Sequence, residues 1–157
     1  MGDEQSGQGG EPAGSPYEWF VRASDLLNAG NPDAAIVLLE WVYAQDQSAA
    51  VLEAYGRALV DARRYDEAVY VLTNLVDKSP DSDYAHYALG VCLWRMKRLI
   101  PARDHLAMAF VMRPDQSSYG QALTQVKATL RARIEAGLPL EGHISTAGFN
   151  ESSSDDR

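Results

Sequence analysis

Four side chains are the natural candidates for nucleophilic, general-base or metal chemistry: His86, Cys92, His105 and His143. A zinc site needs three or four such ligands at short, recognisable spacings, because the metal fixes a tetrahedron of donors. Here no two histidines stand at i,i+4, and neither an HExxH nor a CxxC pattern occurs. His86 and His105 fall on different predicted helices, His143 in a polar end, and all three read most simply as surface or half-buried imidazoles. Cys92 sits beside Gly90 and Leu93 on an apolar stretch and reads as a small packing residue. No nucleophile elbow and no glycine-rich phosphate loop is present, and the carboxylates are scattered. Asp66-Glu67 most simply place negative charge at the start of a helix. The sequence therefore predicts no enzyme, no metal site and no cofactor.

The elements that carry these residues have a plain composition. Of 157 residues 46% are apolar and 23% charged, with 14 basic against 22 acidic side chains and a formal net charge of −8. That charge argues against a general nucleic-acid binder, which needs a basic surface to displace counterions from phosphate. A lone cysteine provides no intramolecular disulfide framework, so the expected compartment is reducing and the expected location cytoplasmic. Met1 to Gly14 are polar and acidic, and no later apolar run reaches membrane-spanning length, so neither a signal peptide nor a membrane partner is expected. Met1-Gly2 and Ser6 match a bare acylation pattern, but Asp3 makes a poor substrate and no basic patch follows.

Residues 1–15 and 141–157 are rich in Gly, Ser, Gln and acids and read as disordered acidic tails. Ser152, Ser153 and Ser154 before Asp155-Asp156 offer phosphorylatable hydroxyls that a solvated end does not require. Each tail carries a net −3, which leaves residues 16–140 with only −2. The acidity is mainly terminal, and an acidic tail folding back on a basic edge is one expectation it raises. Between the tails, Leu, Ala, Val, Tyr and Trp recur at helical spacing with no period-2 alternation. Helices are expected near 17–29, 33–45, 49–62, 66–78, 83–96 and 100–112. Asn31-Pro32 marks one start, and Ile100-Pro101 a similar one. A seventh helix, 117–136, carries Leu123, Val126, Leu130 and Ile134 as its apolar stripe, with Lys127, Arg131 and Arg133 mostly off it.

The helices repeat. A shift of 34 puts Gly56 on Gly90, Ala68 on Ala102, Pro80 on Pro114, Leu59 on Leu93, Leu72 on Leu106 and Arg63-Arg64 on Lys97-Arg98. A shift of 33 brings an earlier copy into line, with Ala35 on Ala68 and Leu39 on Leu72. Three units result, 16–48, 49–82 and 83–116. On these residues the middle of the chain resembles the tetratricopeptide repeat family, a helix–turn–helix repeat with small or aromatic residues at fixed places. Gly56 and Gly90 match the family's small first-helix residue, Ala68 and Ala102 its second-helix alanine, and Pro80 and Pro114 its closing proline. The first unit keeps Trp19 and Ala35 but has Ala23, Arg22 and Gln47 where glycine, leucine and proline are usual. The resemblance implies an all-α, right-handed superhelical solenoid of three antiparallel helix pairs with a C-terminal capping helix, over residues 16–140.

The resemblance also implies a site. In that family the first helices of the pairs line a concave, peptide-binding groove, here Tyr17, Phe20, Ser24 and Asn28, then Glu53, Arg57 and Asp61, then Tyr84, Tyr87, Val91, Trp94 and Arg95. The third set is spaced as one helix face. Aromatics so spaced serve equally as core beneath the capping helix or tail and as an interface, where Tyr and Trp combine area with a polar tip. The Lys/Asn carboxylate clamp of the chaperone-binding members is absent: Phe20, Ser24, Ala54, Tyr84 and Ala88 stand there. Glu53, Arg57 and Asp61 form an i,i+4 charge series that either orients a polar segment or pairs internally. Arg63-Arg64 and Lys97-Arg98 are expected on one edge, for an acidic partner or simply for water. The predicted function is a non-catalytic adaptor or scaffold that binds a protein or peptide partner. The alternatives are a small chaperone for a secreted or assembly subunit and a self-associating structural module, that is, a homo-oligomer.

Overall fold

The computed structural model describes residues 10–144, and among them the chain forms seven helices and no strand. They are α1 (Pro16–Asn28), α2 (Pro32–Tyr43), α3 (Ala49–Asp61), α4 (Tyr65–Lys78), α5 (Asp83–Arg95), α6 (Leu99–Met112) and α7 (Ser117–Glu135). Every expected helix is present, with ends displaced by at most two residues. The rows of Leu, Ala and Val at spacings of three and four bury one stripe per helix, as an amphipathic segment must.

One local device ends the first helix of every pair. After α1 the Gly30 N–H donates to the Leu27 carbonyl and the Asn31 N–H to Leu26, with Gly30 at φ +80°. After α3 the same pair of bonds runs from Arg63 to Val60 and from Arg64 to Leu59; after α5 it runs from Lys97 to Trp94 and from Arg98 to Leu93. These are Schellman turns, which need a left-handed residue to satisfy the last orphan carbonyls. Arg63 at φ +60° and Lys97 at φ +62° hold that conformation without being glycine. The basic pairs noted in the sequence therefore occupy equivalent turns, where their backbone rather than their charge does the structural work.

Described residues of the two expected tails bond to the helices at both ends. Ser15 and Glu18 form a capping box on α1, and the Ala13 carbonyl accepts from Trp19 Nε1 at 3.0 Å and from Arg22 at 3.3 Å. At the other end the Glu141 carboxylate accepts from the N–H groups of Leu99, at 3.1 Å, and Ile100, at 2.9 Å. The expected start at Ile100-Pro101 is thus corrected: α6 begins at Leu99, and Pro101 is its third residue. Proline has no N–H, so Glu141 satisfies the two donors this first turn still exposes. Asn31 sits at the cap position of α2 but makes no side-chain cap bond. Residues 1–9 and 145–157, with the acylation pattern and Ser152 to Ser154, lie outside the described residues.

The stripe of α7 also needs one correction. Leu123, Val126 and Leu130 are buried, but Ile134 is 63% exposed and Arg133 is 5% exposed. The phase of the helix explains it: a residue seven after Val126 returns to its face, and one eight after has rotated about 80° away. The Arg133 guanidinium is accommodated there because it donates to the carbonyls of Pro139, at 3.1 Å, and Gly142, at 2.8 Å. A further bond from Gly142 N–H to the Lys97 carbonyl closes the segment after α7 onto the α5–α6 turn.

The chain divides into two compact units at Ser79–Pro80. In the first, α1 packs on α2, α2 on α3 and α3 on α4; in the second, α5 packs on α6 and α6 on α7. The first core holds Trp19, Ile36, Leu39, Leu52, Leu59, Leu72 and Leu75, and the second holds Leu93, Leu99, Leu106 and Val126. The helices approach closely at Gly56 and Gly90, where a Cβ would stand 2.6 Å from a Leu72 methyl and 2.7 Å from Leu106 Cγ. Small residues at those two positions are a packing requirement.

Candidate protein-binding groove

In the first unit α1 and α3 run side by side and leave a trough between their exposed faces. Phe20, Ser24, Leu27 and Asn28 line it from α1; Ala50, Glu53, Ala54 and Arg57 line it from α3, around a cavity of about 310 Å³. Five residues expected in a groove, Phe20, Ser24, Asn28, Glu53 and Arg57, are therefore brought together. Leu27 and Ala50 were missed, although Ala50, Glu53, Ala54 and Arg57 recur at i, i+3, i+4 and i+7 and so mark one face of α3. Tyr17, 77% exposed, lies at the end of α1 and shares a second hollow of about 250 Å³ with Phe20, Val42 and Val51.

The trough is polar along its rim. Glu53 and Arg57 are exposed, and Arg57 reaches Asp61 only at 3.9 Å, a loose solvent-facing pair. The expected three-member charge series is thus reduced to that one contact. Ser24 Oγ donates to its own helix at Phe20 O. The trough combines one aromatic floor residue with two charged arms of opposite sign, a surface suited to an extended segment bearing an apolar side chain and polar neighbours.

The second unit treats its aromatic set differently. Tyr84, Tyr87, Val91 and Trp94 of α5 are all half-buried, and only Arg95 is exposed. Tyr87 stacks on Tyr119 of α7, with ring centroids 4.6 Å apart, and Tyr119 Oη donates to Asp83 at 2.7 Å. Burial and the Asp83 carboxylate push the Tyr119 phenol well above its ordinary range. The capping helix therefore covers Tyr87, and at this residue the packing alternative applies. Arg95 lies over the Trp94 ring at 5.6 Å, a cation–π contact within the chain.

Of the histidines, His105 is half-buried and His143 exposed, while His86 departs from expectation. His86 is only 7% exposed, and its Nδ1 lies 3.1 Å from Nδ1 of His105 across α5 and α6, with the rings stacked. His86 Nε2 faces the Pro80 carbonyl at 2.9 Å, which can only accept, so that nitrogen carries the hydrogen. Neutral His86 then offers a bare Nδ1 to the N–H of His105. The repeat itself carried the signal, because the shift of 34 places His86 on Leu52 and His105 on Val71, both buried. Burial, with His86 adding and Asp104 opposing, lowers the His105 pKa below 6.5. The unfolded chain then binds more protons than the folded one just below that value. The stability that neutral His105 contributes is accordingly complete above pH 6.5 and lost as pH falls toward its folded pKa. A thermal-stability profile from pH 7.5 to 5 should therefore fall more steeply in the wild type than in a His86→Leu/His105→Val variant.

Other candidate groups are quiet. Cys92 is fully buried, and desolvation pushes its thiol up to about 12, far from a reactive thiolate. Among the described residues no group of three or more His, Cys, Asp or Glu side chains is placed to hold a metal, and no helix is long and apolar enough to cross a membrane.

Two family models, both described as tetratricopeptide repeat, match residues 20–83 and 59–126. No curated protein matches the sequence. Among solved structures, MamA residues 41 to the end from Desulfovibrio magneticus RS-1 superpose with a TM-score of 0.71 at 20% identity, over 78% of this chain and 70% of that one. The first such domain of Spaghetti (RPAP3), bound to an HSP90 peptide, gives 0.69 at 13% identity, over 74% and 93%. The second domain of human RPAP3, in complex with an HSP70 peptide, gives 0.64 at 17%, over 72% and 98%. At these identities the likeness is one of fold.

Proposed function

Because the chain belongs to the tetratricopeptide repeat family, we propose that it acts by binding and not by catalysis, as an adaptor that holds a segment of a protein partner in the α1–α3 trough. The observation that carries this reading is the trough itself: Phe20 as an apolar floor between the exposed arms Asn28, Glu53 and Arg57. Two structural neighbours carry chaperone-derived peptides. The clamp positions here hold Phe20, Ser24, Ala54, Tyr84 and Ala88, which provide neither lysine nor asparagine for a terminal carboxylate. An internal segment with an apolar anchor suits this trough better.

Partner capture on immobilised protein tests the reading. A Phe20→Ala/Arg57→Glu variant is expected to keep its helical spectrum and to lose roughly tenfold in partner recovery, the size of a moderate hot-spot loss. Equal recovery of the same partners by the folded variant removes the trough from the account. Tyr87→Ala is the wrong probe, since it also unstacks Tyr119. Self-association is favoured by one separate feature, the exposed Met108, Phe110 and Val111 on α6 beside a cavity of about 650 Å³ that reaches α7. Light scattering at rising concentration decides that reading, and a constant monomer mass excludes it.

A further inference from the structure

A third hollow in the first unit is built from different chemistry and lies on another side of α3 from the trough. Tyr43 at the end of α2, Tyr55 of α3 and Asp66, Glu67, Tyr70 and Val71 of α4 surround about 350 Å³. Tyr55 stands two residues from both Glu53 and Arg57, about 200° around the helix from each, so this hollow is not the trough. The α4 residues fall at i, i+1, i+4 and i+5, and so share one face. The Tyr43 and Tyr55 rings are tilted with centroids 5.3 Å apart, and Tyr70 is 66% exposed.

The repeat does not require these residues. At the shift of 34, Tyr55, Asp66, Glu67 and Tyr70 correspond to Leu89, Ile100, Pro101 and Asp104. At the shift of 33 Asp66 falls on Asp33, but Tyr55, Glu67 and Tyr70 fall on Arg22, Ala34 and Val37, so these three are particular to this place in the chain. Asp66 and Glu67 are the charged groups that line the hollow, and the cation beside Glu67 is Arg64. That guanidinium is engaged by Glu67 through two bonds, at 2.9 and 2.7 Å, and lies 3.8 Å from Glu40. Among the described residues Asp66 has no ion pair, and the cation–π contact recorded is Arg95 over Trp94, far from these rings in sequence. Burial raises the Tyr55 phenol, and the carboxylates of Glu40 and Glu67 raise it further, so their field reaches the rings.

Electron-rich ring faces beside an open carboxylate are complementary to a flat delocalised cation. A guanidinium is more weakly hydrated than an ammonium; it stacks on a phenol and donates two parallel bonds to a carboxylate. We infer that the Tyr43/Tyr55/Tyr70 hollow with Asp66 is a docking site for an arginine side chain presented by a protein partner. The site is independent of the trough and stands whether or not the trough binds.

Titration of the isotope-labelled full chain with an acetyl-Ala-Arg-Ala amide peptide tests it, with the citrulline peptide as the neutral isostere. The arginine peptide is expected to bind with a Kd on the order of millimolar, as one side chain in one shallow site allows, and to shift resonances of Tyr43, Tyr55 and Tyr70. The citrulline peptide should shift them little. Tyr70→Leu and Asp66→Asn, both at exposed positions, should each weaken binding roughly three- to tenfold through the lost ring face or charge. Equal response to arginine and citrulline, shifts confined to other residues, or unchanged binding by both folded variants would overturn the site.

Discussion

Replacing Trp19 by alanine is expected to destabilise the first unit by about 4 kcal/mol, the usual scale for emptying a large aromatic site. Trp19 is fully buried, meets Trp41 edge-on at 6.3 Å, and donates from Nε1 to the Ala13 carbonyl at 3.0 Å. The substitution thus removes packing, an aromatic pair and one of the bonds that tie residues 13–15 to α1. Whole domains are stable by only about 5–15 kcal/mol, so the change is a large fraction of the total. Trp19→Phe keeps most of the volume and should cost about 1–2 kcal/mol, chiefly the lost N–H bond and a smaller void. Denaturant titration monitored by circular dichroism reads both. A loss below about 1 kcal/mol for Trp19→Ala would mean the core is not organised around this ring.

Gly90→Val should cost about 3 kcal/mol, at the upper end of overpacking effects. A Cβ at Gly90 lies 2.7 and 2.9 Å from Leu106 atoms and 3.2 Å from the Ala102 carbonyl oxygen, and a branched side chain adds two methyls to that contact. The backbone oxygen cannot turn aside as a leucine tip can, so α5 and α6 must separate. Gly56→Ala is the informative contrast. Its Cβ meets only side chains, Leu72 at 2.6 Å and Val71 at 3.8 Å. The gain in helix propensity, about 1 kcal/mol, offsets part of the strain there. The two glycines occupy equivalent repeat positions, yet the expected order of damage is clear. Thermal melts of the single variants measure it, and a neutral Gly90→Val would contradict the close approach of α5 and α6.

Most of this architecture is legible in the sequence. The constant shifts of 33 and 34 pick out Ala35, Gly56, Gly90, Ala68 and Ala102, because a repeat makes each packing position visible more than once, and the family resemblance adds Trp19. The same alignment bears on a polar residue: His86 occupies the slot of Trp19 and Leu52, which implies burial. What a repeat cannot reveal is a contact made only once. Glu141 capping α6, Arg133 turning inward and Tyr119 covering Tyr87 all involve the segment after the last repeat, which has no second copy to compare. Nor does a polar composition register that one carboxylate, Glu141, meets two orphan N–H groups. The trough was readable in part, since the family's geometry placed Phe20, Asn28, Glu53 and Arg57 on facing helices. The aromatic set of α5 could not be resolved without knowing where α7 lies.

A photo-reactive residue reports most directly on where a partner docks. Placed at Glu53, on the α3 wall of the trough, it should cross-link a discrete partner, and the Arg57→Glu background should cut the product severalfold. Placed at Val37, 57% exposed on α2 and outside the trough, the same group should give none. A product from Val37 as strong as from Glu53, or one insensitive to Arg57→Glu, would contradict binding in the α1–α3 trough.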